Sequence, residues 1–324
     1  MDIIVTRARR IYTDGKHNAF TGIARFKDKT YVCFRSGQSH VKPCSTIKLI
    51  CSGDHESWSV ATEEGIQADN IDNRDPKVVA FDGRLLLYYP EYTRTEGQDM
   101  DRTSRFMVVG SEDGENFGRA QQVRGLPEGL WLFWVAAREG KLYGAGYGRA
   151  RRLLAGSDDG VNWSVLTDLP VEGGNETSFD FDPDGTMWTL TREDEQGYIP
   201  TVCVLKPPYT EVSRRFRLKL RLQGPMIKRL PGGSMIVCRV RDKLAVGPRN
   251  TRTEVIWMPD DNVEGLQTVW TLPSGGDTSY ADWLDTGEGN CVVSYYSSHE
   301  HKMAIPTHLS SPADIFLADV EYTA

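Results

Sequence analysis

Long hydrophobic runs are missing from this 324-residue chain. No stretch of about 18 consecutive apolar residues occurs, and a helix that crosses a bilayer needs at least that length. The residues Met1–Arg7 also lack the apolar core of a signal peptide. We therefore expect no membrane partner and a cytoplasmic location.

Positive charge is also scarce. The chain has 38 Lys and Arg residues against 45 Asp and Glu residues, which gives a formal net charge of −7. Nucleic-acid-binding domains usually carry a basic patch or stripe, and only two short arginine-rich stretches occur here, at 149–152 and 214–217. We interpret both as strand edges or loops, so nucleic acid is not an expected partner.

Cysteine occurs only six times, and the spacing matches no zinc site. Most of the cysteines lie inside apolar segments, which predicts buried free thiols rather than disulfides. No carboxylate-rich loop is typical of a calcium site. We therefore expect neither a metal nor a cofactor.

Long amphipathic helical patterns are also missing, and a strand–turn–strand unit takes their place. It recurs six times, with turns near residues 28, 83, 140, 185, 233 and 289. In the second copy, Val78–Phe81 and Leu85–Tyr89 flank the pair Asp82-Gly83, and such pairs suit the positive φ of tight hairpins. The repeats lie about 50 residues apart, which is near the length of a four-stranded propeller blade.

These repeats predict an all-β fold, a six-bladed β-propeller with four-stranded antiparallel blades, in one domain that spans residues 1–324. The N-terminal strand Met1–Val5 is expected to complete the last blade beside Ile315–Val320. Closing the ring in this way leaves few open sheet edges.

A second repeat lies in the outer half of the first three blades. It comprises Ser52–Trp58, Ser111–Phe117 and Ser157–Trp163, and it resembles the Asp box, or BNR repeat, of sialidases, one residue shorter than usual. We expect a structural role, in which the Asp carboxylate binds turn N–H groups and the aromatic ring packs into the blade.

Residues before the first strand and after the second strand of each repeat should share one rim around the axis. That rim is polar and aromatic, and a concavity rich in Arg, Tyr, His and carboxylates is typical of a site for an acidic sugar. The rim residues are His17-Asn18, Arg35, Arg74-Asp75, Tyr89, Trp131–Trp134, Tyr147, Asn175-Glu176, Arg192, Gly224-Pro225, Arg239, Asp277–Tyr280 and Tyr295 or Tyr296, with His40, Glu91, Glu193, His299 and Glu300 on nearby loops.

The chain resembles the sialidase superfamily over essentially its whole length. The resemblance is carried by His17–Thr21, Phe34–Gly37, Arg74–Lys77, Gly174–Thr177, Gly276–Tyr280 and Ser294–Glu300. It implies three arginines that hold a carboxylate, a Tyr nucleophile polarised by a Glu, and an Asp as acid and base. Glu176, Arg192, Arg239 and Tyr280 fall in the family's order.

The sequence departs from that pattern at two places. Where sialidases have Phe/Tyr-Arg-Ile-Pro, this chain reads His17-Asn18-Ala19-Phe20, and the loop of the acid/base Asp has no match. Arg35 and Asp75 are the candidate substitutes. The predicted catalytic residues are Tyr280, Glu176, Asp75 and His17; the predicted substrate-binding residues are Arg35, Arg74, Arg192, Arg239, Asp277, Tyr295 and His299.

We therefore expect an exo-acting glycoside hydrolase of sialidase-like type, acting on an anionic or uronate-containing glycan. Tyr280 would be the nucleophile, Glu176 its base, and Asp75 or His17 the acid. Two alternatives stay open: a polysaccharide lyase with His17 or a Tyr as base, and a non-catalytic glycan-binding propeller. The expected partner is a small sugar or oligosaccharide, and the protein is expected to be a monomer or a weak homo-oligomer.

Overall fold

The structure, a computed structural model, describes residues 1–41, 44–94, 102–148, 151–195, 197–241, 251–260, 262–301 and 312–323. The regular elements within these residues are 25 β-strands, in six antiparallel sheets. None of the described segments forms a helix long and apolar enough to cross a bilayer. The prediction of an all-β six-bladed propeller is confirmed.

The first five blades follow one another along the chain. Blade one holds β2 (His17–Phe26), β3 (Lys29–Gly37), β4 (Thr46–Ser52) and β5 (Ser59–Glu64); blade two holds β6 (Ile71–Asn73), β7 (Lys77–Phe81), β8 (Arg84–Arg94), β9 (Arg102–Ser111) and β10 (Gln121–Gln122); blade three holds β11 (Trp131–Arg138), β12 (Lys141–Tyr147), β13 (Arg152–Ser157) and β14 (Trp163–Asp168); blade four holds β15 (Gly174–Phe181), β16 (Met187–Glu193), β17 (Thr201–Leu205) and β18 (Val212–Arg217); blade five holds β19 (Gln223–Leu230), β20 (Gly233–Arg241), β21 (Thr251–Pro259) and β22 (Gln267–Thr271).

The sixth blade joins the two ends of the chain. It comprises β23 (Thr278–Gly287), β24 (Asn290–Ser297), β25 (Asp314–Thr323) and, outermost, β1 (Asp2–Tyr12). Val5 pairs with Val320 across the β1–β25 ladder. The predicted closing strand is thus confirmed, and it is longer than the pattern indicated.

The core fills the spaces between neighbouring blades. Strand β3 illustrates this packing. Eight of its nine residues are buried, and they follow one another, so both faces of the strand are covered. Five cysteines are buried and Cys44 is exposed, and all six are free thiols. A sheet that is covered on both faces explains why the strands read as near-continuous apolar runs.

The predicted Asp turns lie at the outer edge of blades one to three. Asp159 Oδ1 accepts the N–H groups of Val161 at 2.8 Å and Asn162 at 2.7 Å, and the corresponding contacts of Asp54 and Asp113 are equivalent. Hydrogen bonds from the Ser57 and Glu56 N–H groups lower the pKa of Asp54 to about 2. These carboxylates therefore stabilise the turns, which is a structural role.

Candidate active site

The innermost strand of every blade is interrupted at the same level. A bulge adds residues that have no partner on the neighbouring strand, and it re-aims the side chains it carries. The interruptions lie between Ala19 and Gly22, between β6 and β7, between Leu132 and Trp134, between Gly174 and Thr177, between Gln223 and Met226, and between Ser279 and Asp282. Together they form a ring of bulges around the axis.

Backbone strain is concentrated in this ring. Phe20, Asp75, Ser279 and Tyr280 all have positive φ, at 63°, 37°, 89° and 48°. Non-glycine residues avoid this region unless the surrounding structure imposes it, and such residues collect at functional sites. The strain marks this level of the channel as the candidate site.

Tyr280, Glu176 and Arg192 form the centre of the ring. The Tyr280 hydroxyl donates a short hydrogen bond to Glu176 Oε1. Arg192 Nη1 lies 2.8 Å from the same oxygen and 3.3 Å from the Tyr280 hydroxyl. Residues from blades four and six thus meet at one oxygen, Oε1 of Glu176.

The surroundings of this triad keep Tyr280 protonated and Glu176 ionised. Burial raises the pKa of Tyr280, and the negative charge of Glu176 raises it further. Burial also works to raise the pKa of Glu176, but Arg192 and the Tyr280 hydroxyl outweigh it and the pKa is lowered. At rest the pair is therefore a neutral phenol beside a carboxylate.

Gly224 packs directly against the ring of Tyr280, and we call this contact the seat of Tyr280. Its N–H donates to Glu176 Oε2 at 3.0 Å. A Cβ at this position would lie 2.8 Å from Tyr280 Cδ2, and the φ of +55° disfavours any side chain. The ring of Tyr280 packs where only glycine leaves room.

Asp277 is a second centre beside the first. Its carboxylate accepts His17 Nε2 at 2.8 Å, the Tyr296 hydroxyl at 2.8 Å and Arg239 Nη1 at 3.3 Å. His40 Nδ1 forms a further short contact with it. Arg239 joins the two centres, since its guanidinium lies 5.2 Å from the centre of the Tyr280 ring.

This network holds Asp277 ionised and leaves His40 neutral. Burial opposes the charge of Asp277, but His40, His17 and Arg239 outweigh it and hold its pKa well below the usual range. Burial lowers the pKa of His40 to about 4, although Asp277 acts in the opposite direction. With Nδ1 on Asp277, the Nε2 atom of His40 has no hydrogen-bond partner among the described residues.

Asp75 lies across a small cavity from Tyr280. Both line it, together with Phe20 and Phe133. Burial and the charge of Glu176 raise the pKa of Asp75, against the attraction of Arg74, whose Nε lies 3.3 Å from Asp75 Oδ2. A carboxyl with a raised pKa can keep a proton to donate.

The structure does not bring three of the predicted binding residues to these centres. Arg35 is fully buried, and its guanidinium is bound by Asp72 at 2.9 Å and by the Ser39 carbonyl at 2.7 Å. The Tyr295 hydroxyl donates to the Pro273 carbonyl. His299 contacts Ser297 and the Phe316 ring. We assign structural roles to all three.

His17 lies in the site, where protein atoms enclose its imidazole. It is fully buried, Nε2 is bound to Asp277, and Nδ1 is buried without a partner in the described part of the chain. Its imidazole therefore positions Asp277 and has no free atom facing a substrate.

The sequence analysis placed His40, Tyr296 and Gly224 on the rim but assigned them no role. His40 and Tyr296 bind Asp277, and Gly224 seats Tyr280. The sequence left Tyr295 and Tyr296 as alternatives, and the structure selects Tyr296. The Gly224-Pro225 pair at a strand start was the available signal for a close backbone approach.

His17, His40 and Asp277 also have metal-ligating atoms within 4.8 Å of one another. The same carboxylate already accepts hydrogen bonds from Arg239 and Tyr296. A fixed guanidinium charge at this distance repels a cation, so these residues fit a hydrogen-bonded cluster better than a metal centre.

Comparison with known proteins yields likeness in structure only. No protein-family model matches the sequence, and no curated protein matches it either. A protein of unknown function from Dyadobacter fermentans is 15% identical with a TM-score of 0.78, and the match covers 99% of each chain. Trypanosoma rangeli sialidase in complex with the inhibitor DANA is 10% identical with a TM-score of 0.70 over 94% of this chain and 55% of the sialidase.

A mutant Bombyx mori GH32 β-fructofuranosidase in complex with sucrose is also similar. It is 14% identical with a TM-score of 0.55, and the match covers 95% of this chain and 61% of that enzyme. The chain thus spans little more than half the length of either enzyme. At these identities the likeness establishes the fold alone, and the chain has the six-bladed β-propeller fold that it shares with the sialidase.

Proposed function

We propose that the protein is an exo-acting glycoside hydrolase of sialidase-like type, specific for a terminal anionic sugar. The observation that carries the proposal is the hydrogen bond from the Tyr280 hydroxyl to Glu176, with Arg192 on the same oxygen. A nucleophile next to a base that a third group orients is the usual signature of covalent catalysis.

In the first step, Glu176 takes the phenol proton as the Tyr280 oxygen bonds to the anomeric carbon. The bond from that carbon to the leaving oxygen breaks, and Asp75 protonates the oxygen. In the second step, Asp75 takes a proton from water, the water oxygen displaces Tyr280, and Glu176 returns the proton to the phenolate. A tyrosine nucleophile is a known exception to the two-carboxylate rule.

Arg239 is the residue that we propose for binding the charge of the substrate, because Arg192 is already held by two carboxylates. Arg239 Nε is buried without a hydrogen-bond partner in the described residues, and Arg192 is held by Glu176 and by Asp194, whose Oδ2 lies 3.0 Å from Nη2. A guanidinium pairs with a carboxylate through two parallel hydrogen bonds. Arg239 also lines an open cavity, and an anionic sugar bound there would pair with its guanidinium.

Asp75, rather than His17, is the proposed acid. It lines the same cavity as Tyr280 and has a raised pKa, whereas His17 has both nitrogens buried. The raised pKa provides the proton that the leaving oxygen needs.

The test is a panel of aryl glycosides of neutral and acidic sugars, with the variant Tyr280→Phe. We expect the wild type to hydrolyse an acidic glycoside and Tyr280→Phe to lose at least about 10²-fold in kcat. A fluorinated glycoside of the same sugar should leave a covalent adduct on Tyr280, which mass spectrometry of the peptide detects. Tyr143→Phe is the matched control, because it also removes a hydroxyl, on blade three outside the described site. Binding without turnover by the wild type would instead support a non-catalytic propeller.

A second candidate, β-elimination at a uronate, is favoured by the neutral His40 held by Asp277. His40 Nε2 would remove the C5 proton, the electron pair would form the C4–C5 double bond, and the C4–oxygen bond would break with protonation by the Tyr280 hydroxyl. The unsaturated product absorbs in the ultraviolet, and the hydrolysis product does not. The appearance of that absorbance with uronate oligosaccharides would decide for the lyase.

A further inference from the structure

A second cavity opens beside the catalytic centre on the rim of blades four and five. It is lined by Tyr198, Arg221, Leu222, Gln223, Arg239 and Arg241. Arg239 and Arg241 alternate along β20 and therefore lie on one face of the strand, and Gln223 is the register partner of Arg239. We call this cavity the arginine pocket.

The arginine pocket carries positive charge that the protein leaves unpaired. None of the described residues that line it is a carboxylate. Arg221 and Arg241 are exposed and form no ion pair within the described residues, and the buried Nε of Arg239 has no hydrogen-bond partner there. In a chain of net charge −7, the two unpaired guanidiniums of Arg221 and Arg241 lie beside that of Arg239, which pairs with Asp277 through Nη1. Together they attract an anion.

Two side-chain contacts link the arginine pocket to the residues around Tyr280. Arg239 lines it and lies 5.2 Å from the centre of the Tyr280 ring. The Arg192 guanidinium lies 5.4 Å from the centre of the Tyr198 ring. The arginine pocket is therefore next to Tyr280, at the distance expected of a neighbouring sugar when the reacting sugar binds at Tyr280.

Tyr198 is built to present its ring there. Its φ is +65°, its N–H donates to the Glu193 carbonyl at 2.9 Å, and its carbonyl accepts the Leu222 N–H at 3.1 Å. Two backbone hydrogen bonds thus hold the residue in an unfavourable conformation with its ring partly exposed. An exposed aromatic face beside polar donors is the usual platform for a sugar ring.

We propose that the arginine pocket is a subsite for a second anionic sugar, one that carries a carboxylate or sulfate next to the residue bound at Tyr280. The proposal rests on the proposed function for the position of the first sugar. The substrate class then narrows to glycans with charge on adjacent residues.

The experiment measures binding by calorimetry in the Tyr280→Phe background, where the glycosidic bond stays intact. The probes are two matched pairs: a glucuronate–N-acetylgalactosamine disaccharide with and without a sulfate on the second sugar, and digalacturonate with and without a methyl ester on the reducing-end carboxylate. We expect the member with a charge on its second sugar to bind about tenfold more tightly in at least one pair, which is the scale of one or two well-oriented guanidinium contacts. The pair that responds tells sulfate from carboxylate.

Arg221→Gln with Arg241→Gln should abolish that tenfold difference and leave the affinity for the member without charge on its second sugar unchanged. Arg25→Gln with Arg119→Gln is the matched control, since both arginines are exposed and lie on other blades. Equal binding of the two members of both pairs would overturn the proposal. So would an equal loss in the control pair, which would indicate net charge alone, or inorganic sulfate that binds as tightly as the sulfated disaccharide.

The two proposals fail separately. Arginine-dependent binding without hydrolysis of any substrate by the wild type removes the proposed function and leaves the subsite. Hydrolysis by the wild type with no preference for the charged probes removes the subsite and leaves the proposed function. Thermal unfolding of each variant shows that it is folded.

Discussion

At the scale of single residues, the Tyr280 hydroxyl is controlled by groups from other blades. Glu176 and Arg192 come from blade four, Gly224 from blade five, and all reach Tyr280 in blade six. A proton transfer requires its partners within hydrogen-bond reach, so a small displacement of the ring should be costly to the reaction.

Gly224→Ala tests that positioning. The added Cβ would lie within 3 Å of the Tyr280 ring, so the ring must move away from Glu176. We expect kcat to fall by about 10²-fold, the usual cost of a misplaced reacting group, as steady-state kinetics would show. Gly287→Ala is the control, because nothing lies within 4 Å of a Cβ there. Unchanged kcat in Gly224→Ala would contradict the role of this glycine.

Asp75→Asn tests the acid. Only protonated Asp75 can donate, so kcat should fall as pH rises through its raised folded-state pKa, and the variant should lack this alkaline limb. We expect a loss of about 10²-fold with poor leaving groups and much less with a dinitrophenyl leaving group, which needs no proton. Asp28→Asn, an exposed turn residue, should keep the wild-type pH profile. An alkaline limb that persists in Asp75→Asn would assign the acid to another group.

The same raised pKa has a consequence for stability with a definite sign. The folded state binds the Asp75 proton more tightly than the unfolded chain does. Between the ordinary Asp pKa, about 4, and the higher folded value, this group lowers the free energy of unfolding as pH rises. Asp75→Asn removes that contribution.

At the scale of elements, two features of the strands have different roles. The bulges of the inner strands aim side chains at the axis, and the Asp turns of the outer strands connect neighbouring blades. Tyr88 of blade two donates its hydroxyl to the Gly160 carbonyl in the turn of blade three at 2.8 Å. Loss of a turn should therefore weaken the packing between blades without altering the site.

Asp159→Ala tests this separation. It removes the acceptor of the Val161 and Asn162 N–H groups, and we expect a loss of about 1 kcal/mol in the free energy of unfolding, since the exposed N–H groups regain water. Urea unfolding measures it, and the kinetic constants should stay as in the wild type. Asp158→Ala is the matched neighbour, because among the described residues its carboxylate makes only an exposed ion pair with Lys141. Equal losses in the two variants would remove the structural role of the turn.

At the scale of the whole molecule, ring closure depends on β1. This strand comes from the other end of the sequence and pairs with β25 along most of its length. Without it the last blade would expose a strand edge, which is an aggregation hazard.

Val5→Asp and Ile4→Asp test the closure with the same introduced residue. Val5 is 7% exposed and packs in the core, whereas Ile4 is 49% exposed. Burying an unpaired carboxylate should cost about 3 kcal/mol or more in Val5→Asp, and Ile4→Asp should change stability by less than about 0.5 kcal/mol. Urea unfolding and size-exclusion chromatography measure the two. Similar stabilities would mean that β1 contributes little to closing the ring.

The amino-acid sequence by itself determined the features that depend on neighbours along the chain. Asp82-Gly83 and the other hairpin pairs located the six repeats, and the Ser-x-Asp segments located the turns, because backbone preferences and short side-chain contacts act over a few residues. The resemblance to sialidases, whose order of site residues Glu176, Arg192, Arg239 and Tyr280 follow, added the expectation that these four residues form one site.

The tertiary structure decided what depends on register and on partners distant in sequence. Tyr295 and Tyr296 face opposite sides of β24, and only the pairing of the strands shows which one reaches Asp277. Arg35 is of a residue type that often binds ligands, but its guanidinium is already bound by Asp72 and by the Ser39 carbonyl. The bulges, the seat at Gly224 and the arginine pocket arise where blades meet, because interactions between distant strands leave no periodic trace in the sequence.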